Sequence, residues 1–180
     1  MRIDVILDPD TSPAEARELG QLAERHGIHA VWASNYPSSR DPFMTLAPLA
    51  LASSRILMGP LVMTPWELHP LKMSKAILGL AELSGGRAQI LVGGPTGVPA
   101  AMGIDPVRMV GHVRECVEIL KGTRPDAALN YQGRIFRVFN YRPAWATARP
   151  PTIWIGANKP QMLAMATRLA DAIMFGDITP

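Results

Sequence analysis

The sequence predicts an α/β fold built on a parallel sheet, and three observations predict it. Short apolar runs alternate with amphipathic segments along the chain, the pattern of strand–helix–strand units. The runs are continuously apolar rather than alternating in polarity, as strands are when both faces are covered. Glycine, proline, serine and aspartate fall between the runs, where helices begin and end.

The elements follow in order. Arg2–Leu7 reads as the first strand. Ser12-Pro13-Ala14-Glu15 then opens a helix: the Ser12 hydroxyl can accept from free amides, Pro13 has the φ of a first turn, and Glu15 completes a capping box. Leu19, Leu22 and Ala23 form its apolar stripe, and Gly27 ends it where a left-handed residue is needed. His29–Ala33 is the second strand. Asp41-Pro42 starts a second helix to about Ser53, with Pro48 implying a kink or an early end. Arg55–Val62 is the third strand, and a helix from Pro70 stops at Gly85-Gly86.

Ala88–Val92 is the fourth strand and leads into a loop rich in glycine and proline. Pro106–Lys121 is the fourth helix, with Val110, Val113, Val117 and Leu120 at helical spacing. Leu129–Val138, centred on Gln132-Gly133, reads as a hairpin set between strand–helix units, an insertion over about 127–142. Thr152–Ile155, Gln161–Leu169 and Ala172–Phe175 close the chain as strand, helix and strand. A doubly wound sheet and a closed barrel fit this order equally well. No G-x-G-x-x-G follows the first strand, which weighs against a dinucleotide-binding sheet.

Composition narrows the function classes. With 48% apolar and 18% charged residues over 180 positions, the chain has the makeup of one folded domain. A net charge of +3 is too weak and too dispersed for a nucleic-acid partner. The most basic stretch holds Lys121, Arg124, Arg134, Arg137, Arg142 and Arg149 against Asp126 alone. It reads as a solvated insertion, or as a surface that attracts an anionic ligand tail. The single cysteine, Cys116, excludes an internal disulfide framework and suits a reducing cytoplasm, where it packs as a small apolar residue. No signal peptide and no membrane-spanning run are expected. Neither metal-ligand spacing nor a Ser-His-Asp or Cys-His arrangement is identifiable among the residues.

Several ordered stretches carry a resemblance to a known family. They are Val31-Trp32-Ala33-Ser34-Asn35-Tyr36, Gly59-Pro60-Leu61-Val62-Met63-Thr64-Pro65 with His69-Pro70, and Leu83-Ser84-Gly85-Gly86-Arg87. Gly103-Ile104-Asp105-Pro106, Arg114-Glu115-Cys116-Val117-Glu118-Ile119-Leu120 and Tyr131-Gln132-Gly133-Arg134-Ile135-Phe136 follow. Pro151-Thr152-Ile153-Trp154-Ile155-Gly156-Ala157 and Ala170-Asp171-Ala172 complete the set. In this order the chain resembles the luciferase-like monooxygenase family, and most of all its deazaflavin-dependent oxidoreductase branch. The resemblance implies a (β/α)₈ TIM barrel of the bacterial luciferase-like type, present here through its first six units and truncated after strand six. The implied cofactor is coenzyme F-420, an 8-hydroxy-5-deazaflavin that carries hydride; FMN is the alternative.

The same resemblance implies the site. A non-proline cis peptide at Leu61–Val62 would support one face of the ring, with Met63 beside it, although these residues alone read as barrel core. Thr64 matches a residue that hydrogen-bonds the ring, and Gly93 and Gly94 lie at the carboxyl end of the barrel, where active sites sit. Asn158 and Lys159 stand where relatives carry a glycine pair at the cofactor. Relatives that oxidise alcohols or sugar phosphates carry Asp-His after the second strand; this chain has Asn35-Tyr36. Asn35 can hydrogen-bond the cofactor and cannot ionise. Tyr36 can donate a proton but is a poor base at neutral pH, so a reductase fits better than a sugar-phosphate dehydrogenase. Tyr36 also reads as an aromatic lid on the barrel mouth. His69 reads as structural.

A complete barrel needs about 250 residues, so the first and sixth strands are expected to have open edges. A homo-oligomer contact or a separate carboxyl-terminal segment is expected to cover them. The function expected is hydride transfer to or from a small organic substrate. The alternative is a non-catalytic relative that keeps the fold as a flavin-binding or oligomer-forming scaffold.

Overall fold

The computed structural model describes residues 2–176. Six strands run parallel: β1 Asp4–Leu7, β2 Ala30–Ser34, β3 Leu57–Leu61, β4 Gln89–Val92, β7 Thr152–Gly156 and β8 Ala172–Met174. Hydrogen bonding joins β1-β2-β3 on one side and β4-β7-β8 on the other. The halves meet where β3 leans on β4: the Met58 amide donates to the Arg87 carbonyl at 3.1 Å, and the Met63 amide to the Leu91 carbonyl at 2.8 Å. The strands therefore follow sequence order, as the helix–strand alternation predicts. Between β4 and β7 the hairpin β5 Leu129–Gln132 and β6 Arg137–Tyr141 pairs antiparallel and stands outside that order.

The helices are α1 Pro13–Arg25, α2 Pro42–Ala52, α3 Pro70–Leu83, α4 Gly97–Ala101, α5 Met109–Gly122 and α6 Pro160–Leu169. Side chains alternate across the strands. Val31, Met58, Ile90, Val92, Ile153 and Ile155 face the helices in the main core. Trp32, Leu61 and Leu91 face the other way and pack with Val62, Trp154 and Met174 inside the barrel.

Two local devices set the helix ends. In α1 the Glu15 amide donates to Ser12 Oγ at 3.3 Å and the Ser12 amide to Glu15 Oε2 at 2.8 Å, the expected reciprocal cap. In the Leu83–Arg87 stretch, Gly85 and Gly86 take φ of 63° and 84°, a backbone that favours glycine. Arg87 then reaches the carboxyl end of α2. Its guanidinium donates to the carbonyls of Ala50 (2.9 Å), Ser53 (2.8 Å) and Ile56 (3.0 Å), and to Ser53 Oγ (2.7 Å). It thus satisfies acceptors that the helix end leaves free.

The structure differs from the sequence reading in four places. Leu19 and Leu22 are 47% and 44% exposed, and α1 instead buries Ala16 and Gly20. Gly20 has no Cβ, and one placed there would lie 2.4 Å from the Leu49 methyls, so the small-residue face is the one that admits α2. The second helix runs unbroken through Pro48. The fourth helix begins at Met109 rather than Pro106, because Arg108 takes a left-handed conformation with φ of 49°. Finally, part of the glycine-rich loop folds into the short helix α4, capped by Thr96 Oγ1 on the Val98 amide at 3.3 Å.

The open side of the sheet is apolar. Ile3, Ile6, Leu19, Leu22 and Phe175 are all exposed. Val5 and Ile173 pack against the helix-facing core. No helix among the described residues is long and apolar enough to cross a membrane.

Candidate functional site

The carboxyl ends of β2, β3, β4 and β7 form one rim, and most of the residues singled out in the sequence lie on it. The Asn35 amide nitrogen of the backbone donates to the Leu61 carbonyl at 2.7 Å, which ties the end of β2 to β3. The Leu61–Val62 bond is cis. Leu61 is 9% exposed and Val62 is partly buried, and both pack in the cluster inside the barrel. Met63 departs from its expected place beside a ring: its side chain is 4% exposed in the helix-facing core, and only its backbone serves the rim. Thr64 is fully enclosed, with its hydroxyl beside the Glu67 carboxyl.

A carboxylate that sequence reasoning missed organises this corner. Glu67 Oε1 accepts from the Thr64 backbone amide at 2.8 Å and from Asn35 Nδ2 at 2.7 Å. Asn35 Nδ2 also donates to the Val62 carbonyl at 3.1 Å. Burial raises the Glu67 carboxyl above its ordinary value; the hydrogen bonds from Thr64 and Asn35 oppose this and do not overcome it. The available signal was a lone acidic residue in the Thr64-Pro65-Trp66-Glu67 loop, directly after the strand that carries the site.

The rim continues into β4 and β7. The Gly93 amide donates to the Met63 carbonyl at 3.1 Å. A Cβ on Gly93 would lie 2.6 Å from Val62 Cγ1 and 3.9 Å from the Gly156 backbone, so two glycine backbones stand together beside Val62. Gly94 lies against Met109 at the head of α5. Asn158 and Lys159 follow β7 and are exposed. Asn158 Oδ1 accepts from the Gly176 amide at 2.9 Å, and Lys159 caps α6 without a side-chain bond.

Tyr36 stands apart. It is 51% exposed, and its backbone closes a turn with Ser39. The histidines serve packing: His69 Nδ1 accepts from the Leu71 amide at 3.1 Å at the head of α3, and His112 stacks on Trp66 with centroids 4.7 Å apart. Thr96 is the α4 cap. Within the basic stretch, Lys121 bonds Asp171 at 2.6 Å and Arg142 the Pro125 carbonyl at 2.9 Å. A cavity of about 250 Å³ between α5 and the hairpin turn, lined by Arg108, Arg114, Glu115 and Arg134, lies apart from the rim constellation.

Comparison with known proteins agrees with this geometry. The chain is 30% identical over 181 residues to the 5,10-methylenetetrahydromethanopterin reductase of Archaeoglobus fulgidus, covering 100% of this chain and 54% of that protein. It is 28% identical over 167 residues to the F-420-dependent hydroxymycolic acid dehydrogenase of Mycobacterium tuberculosis, covering 84% and 46%. The chain spans about half the length of the curated relatives it matches. Its fold matches the coenzyme F-420-dependent tetrahydromethanopterin reductase from Methanopyrus kandleri with a TM-score of 0.83 at 24% identity, over 97% of this chain and 55% of that one. It also matches the oxygenating constituent of 3,6-diketocamphane monooxygenase from Pseudomonas putida, in complex with FMN, with a TM-score of 0.76 at 18% identity over 96% and 56%. The luciferase-like monooxygenase family matches residues 1–180, so the chain belongs to that family, with the first six strands of its TIM barrel.

Proposed function

We propose that this chain forms the ring-facing part of an oxidoreductase that uses the deazaflavin coenzyme F-420 to transfer hydride to or from a small organic substrate. The observation that carries the reading is the network at the rim, where Glu67 Oε1 joins Asn35 to the Thr64 backbone amide beside Leu61 and Val62. Polar groups held in fixed places beside an apolar surface support a polar, flat ligand there. The groups fit such a ring: Asn35 hydrogen-bonds its edge, Leu61 and Val62 carry one face, and the Thr64 loop and the Gly93 backbone stand beside it. When bound, the deazaflavin supplies the carbon that gains or loses hydride. FMN presents a ring of similar shape and is the second choice.

Tyr36 is the proton donor in this reading, swinging over the mouth from its exposed turn, and Asn158 and Lys159 lie toward the ligand's anionic end. The Asp-His relay of alcohol-oxidising relatives has no counterpart in Asn35-Tyr36, so reduction by the reduced cofactor is the favoured direction. The chain works as one barrel domain in the cytoplasm, with a second copy or a carboxyl-terminal segment along its open edge.

Fluorescence titration with oxidised deazaflavin, FMN and a nicotinamide dinucleotide tests the reading. Saturable binding of the deazaflavin, with FMN weaker, is expected. Asn35→Ala is expected to lower that affinity about tenfold, because it removes the polar group at the rim that Val62 and Glu67 hold in place. Nicotinamide binding with none for either flavin type overturns it. Tyr36→Phe is expected to slow turnover about a hundredfold at unchanged ring affinity; binding without any turnover marks a non-catalytic scaffold.

A further inference from the structure

The loop after β3 concentrates enclosed polar groups. Trp66 Nε1 is enclosed without a partner, and the Thr64 hydroxyl and the Glu67 carboxyl are enclosed side by side. Asn35 completes the pattern in a different way. Both hydrogens of its amide are used, one on the Val62 carbonyl and one on Glu67 Oε1. The amide cannot be turned over, because a carbonyl would then face the Val62 carbonyl, which has no hydrogen to give. Its Oδ1 is neither bonded within the fold nor sealed from solvent. Asn35 is thereby fixed as an acceptor at the barrel mouth.

Resting on the function proposed above, we propose that Glu67 is the positioning residue of the site. Its Oε1 locks Asn35 with Oδ1 presented to a ligand that brings an N–H or O–H donor, and its Oε2 is the atom at which this corner gains and loses a proton. The neutral carboxyl keeps Oε1 free to accept from Asn35 and Thr64, and its proton on Oε2 removes an uncompensated buried charge. The ionised form holds Asn35 more tightly, because a charged acceptor makes the stronger bond. The carboxylate that Asn35-Tyr36 lacks at the end of β2 is in this way supplied from the next loop.

The titratable and charged groups on the neighbouring elements are Tyr36 and Asp41 after β2, His69 at the head of α3, Arg108 at the N-cap of α5, and His112 and Arg114 on α5. None forms an ion pair with Glu67, and burial lowers the His69 imidazole. Burial is the main cause that raises Glu67.

The test begins without any ligand. In the full chain, the Asn35 side-chain amide signals in a nitrogen–proton NMR spectrum should follow one titration whose midpoint lies above the ordinary carboxylate value of 4.5. The Glu67 carboxyl carbon should give the same midpoint in the unmodified protein. Glu67→Gln, which can keep an acceptor toward Asn35 and Thr64, should abolish the titration of the Asn35 signals. Titration with oxidised deazaflavin and with FMN then gives a second arm. Affinity should change about fivefold or more across that midpoint in the unmodified protein and less than about twofold in Glu67→Gln. An Asn35 signal insensitive to pH, or one that still titrates in Glu67→Gln, overturns the proposal whether or not a ring binds. If neither ring binds while Asn35 follows Glu67, the role of Glu67 in holding Asn35 stands and the cofactor reading fails.

Discussion

Trp32 and Trp154 meet edge to face inside the barrel, with ring centroids 5.6 Å apart and planes at 88°. They come from β2 and β7, two strands that are not neighbours, and they bridge the space above Gly59 and Leu91, the residues paired with them in register. Each indole nitrogen also has a fixed acceptor: Trp32 Nε1 donates to Asp4 Oδ2 and Trp154 Nε1 to Gln89 Oε1, both at 3.1 Å. Two large residues thus fill the interior at mid-strand, below the rim where we place the ligand.

Trp154→Phe keeps an aromatic ring and removes the indole donor. Gln89 is 1% exposed and its Nε2 already lacks a partner, so its Oε1 would then be unsatisfied as well. A loss of about 1–3 kcal/mol is expected in urea denaturation. The near-ultraviolet circular dichroism band of the coupled indoles should disappear. An unchanged band would mean that the pair does not form in solution.

Gly59 and Gly79 should respond to alanine in opposite directions. A Cβ on Gly59 would lie 2.0 Å from the Gln89 carbonyl oxygen, a backbone atom that cannot yield without parting β3 from β4. Gly59→Ala is expected to cost about 3 kcal/mol or more. A Cβ on Gly79, within α3, meets nothing within 4 Å. Gly79→Ala should stabilise by about 0.5–1 kcal/mol through helix propensity. Paired melting curves check both; equal shifts would remove the steric account of Gly59.

Arg87→Lys should destabilise by about 2–4 kcal/mol despite the conserved charge. One ammonium cannot reach the spread of acceptors on Ala50, Ser53 and Ile56 that the guanidinium spans. Hydrogen exchange should rise first at the carboxyl end of α2. A lysine variant as stable as the parent would show that this cap contributes nothing.

Glu115 gives a pH-dependent term. It is 1% exposed and accepts from the amides of Arg134, Ile135 and Phe136, each at 2.9 Å. Burial alone would raise its carboxyl; the three amides outweigh burial and hold it below the ordinary value of 4.5. A carboxyl lowered by folding stabilises the fold fully above the ordinary value, and that contribution is lost as pH falls through the lowered one. The gap in urea midpoint between the parent and Glu115→Gln should be constant near neutrality and shrink below pH 4.5. A gap that stays constant into acid would exclude this linkage.

The strand–helix alternation, the Ser12 cap and the left-handed Gly27 were legible in the sequence because each is a local signal. The burial of α1 was not. Leu19 and Leu22 outrank Ala16 and Gly20 in hydrophobicity, yet the decisive fact is a contact with Leu49 on another helix. Leu83–Arg87 is one of the stretches that carry the resemblance, and its arginine caps the carboxyl end of α2. At the site, the resemblance marked Asn35, Leu61, Val62, Thr64 and Gly93, which the structure gathers on one rim. It could not mark Glu67, whose importance lies in the two amides it meets across the fold.

Glu115 has one more consequence. The hairpin turn is docked through the backbone amides of Arg134, Ile135 and Phe136, and through the side chains of Tyr131 on Glu118 and of Phe136 on His69 and His112. Its address is therefore written in α5 and in a few inward-facing positions of the hairpin. The outward-facing letters of the excursion, Arg137 and Phe139 among them, are exposed and free to drift. A different hairpin of equal length that keeps Tyr131, Gly133, Phe136 and Val138 should dock in the same place.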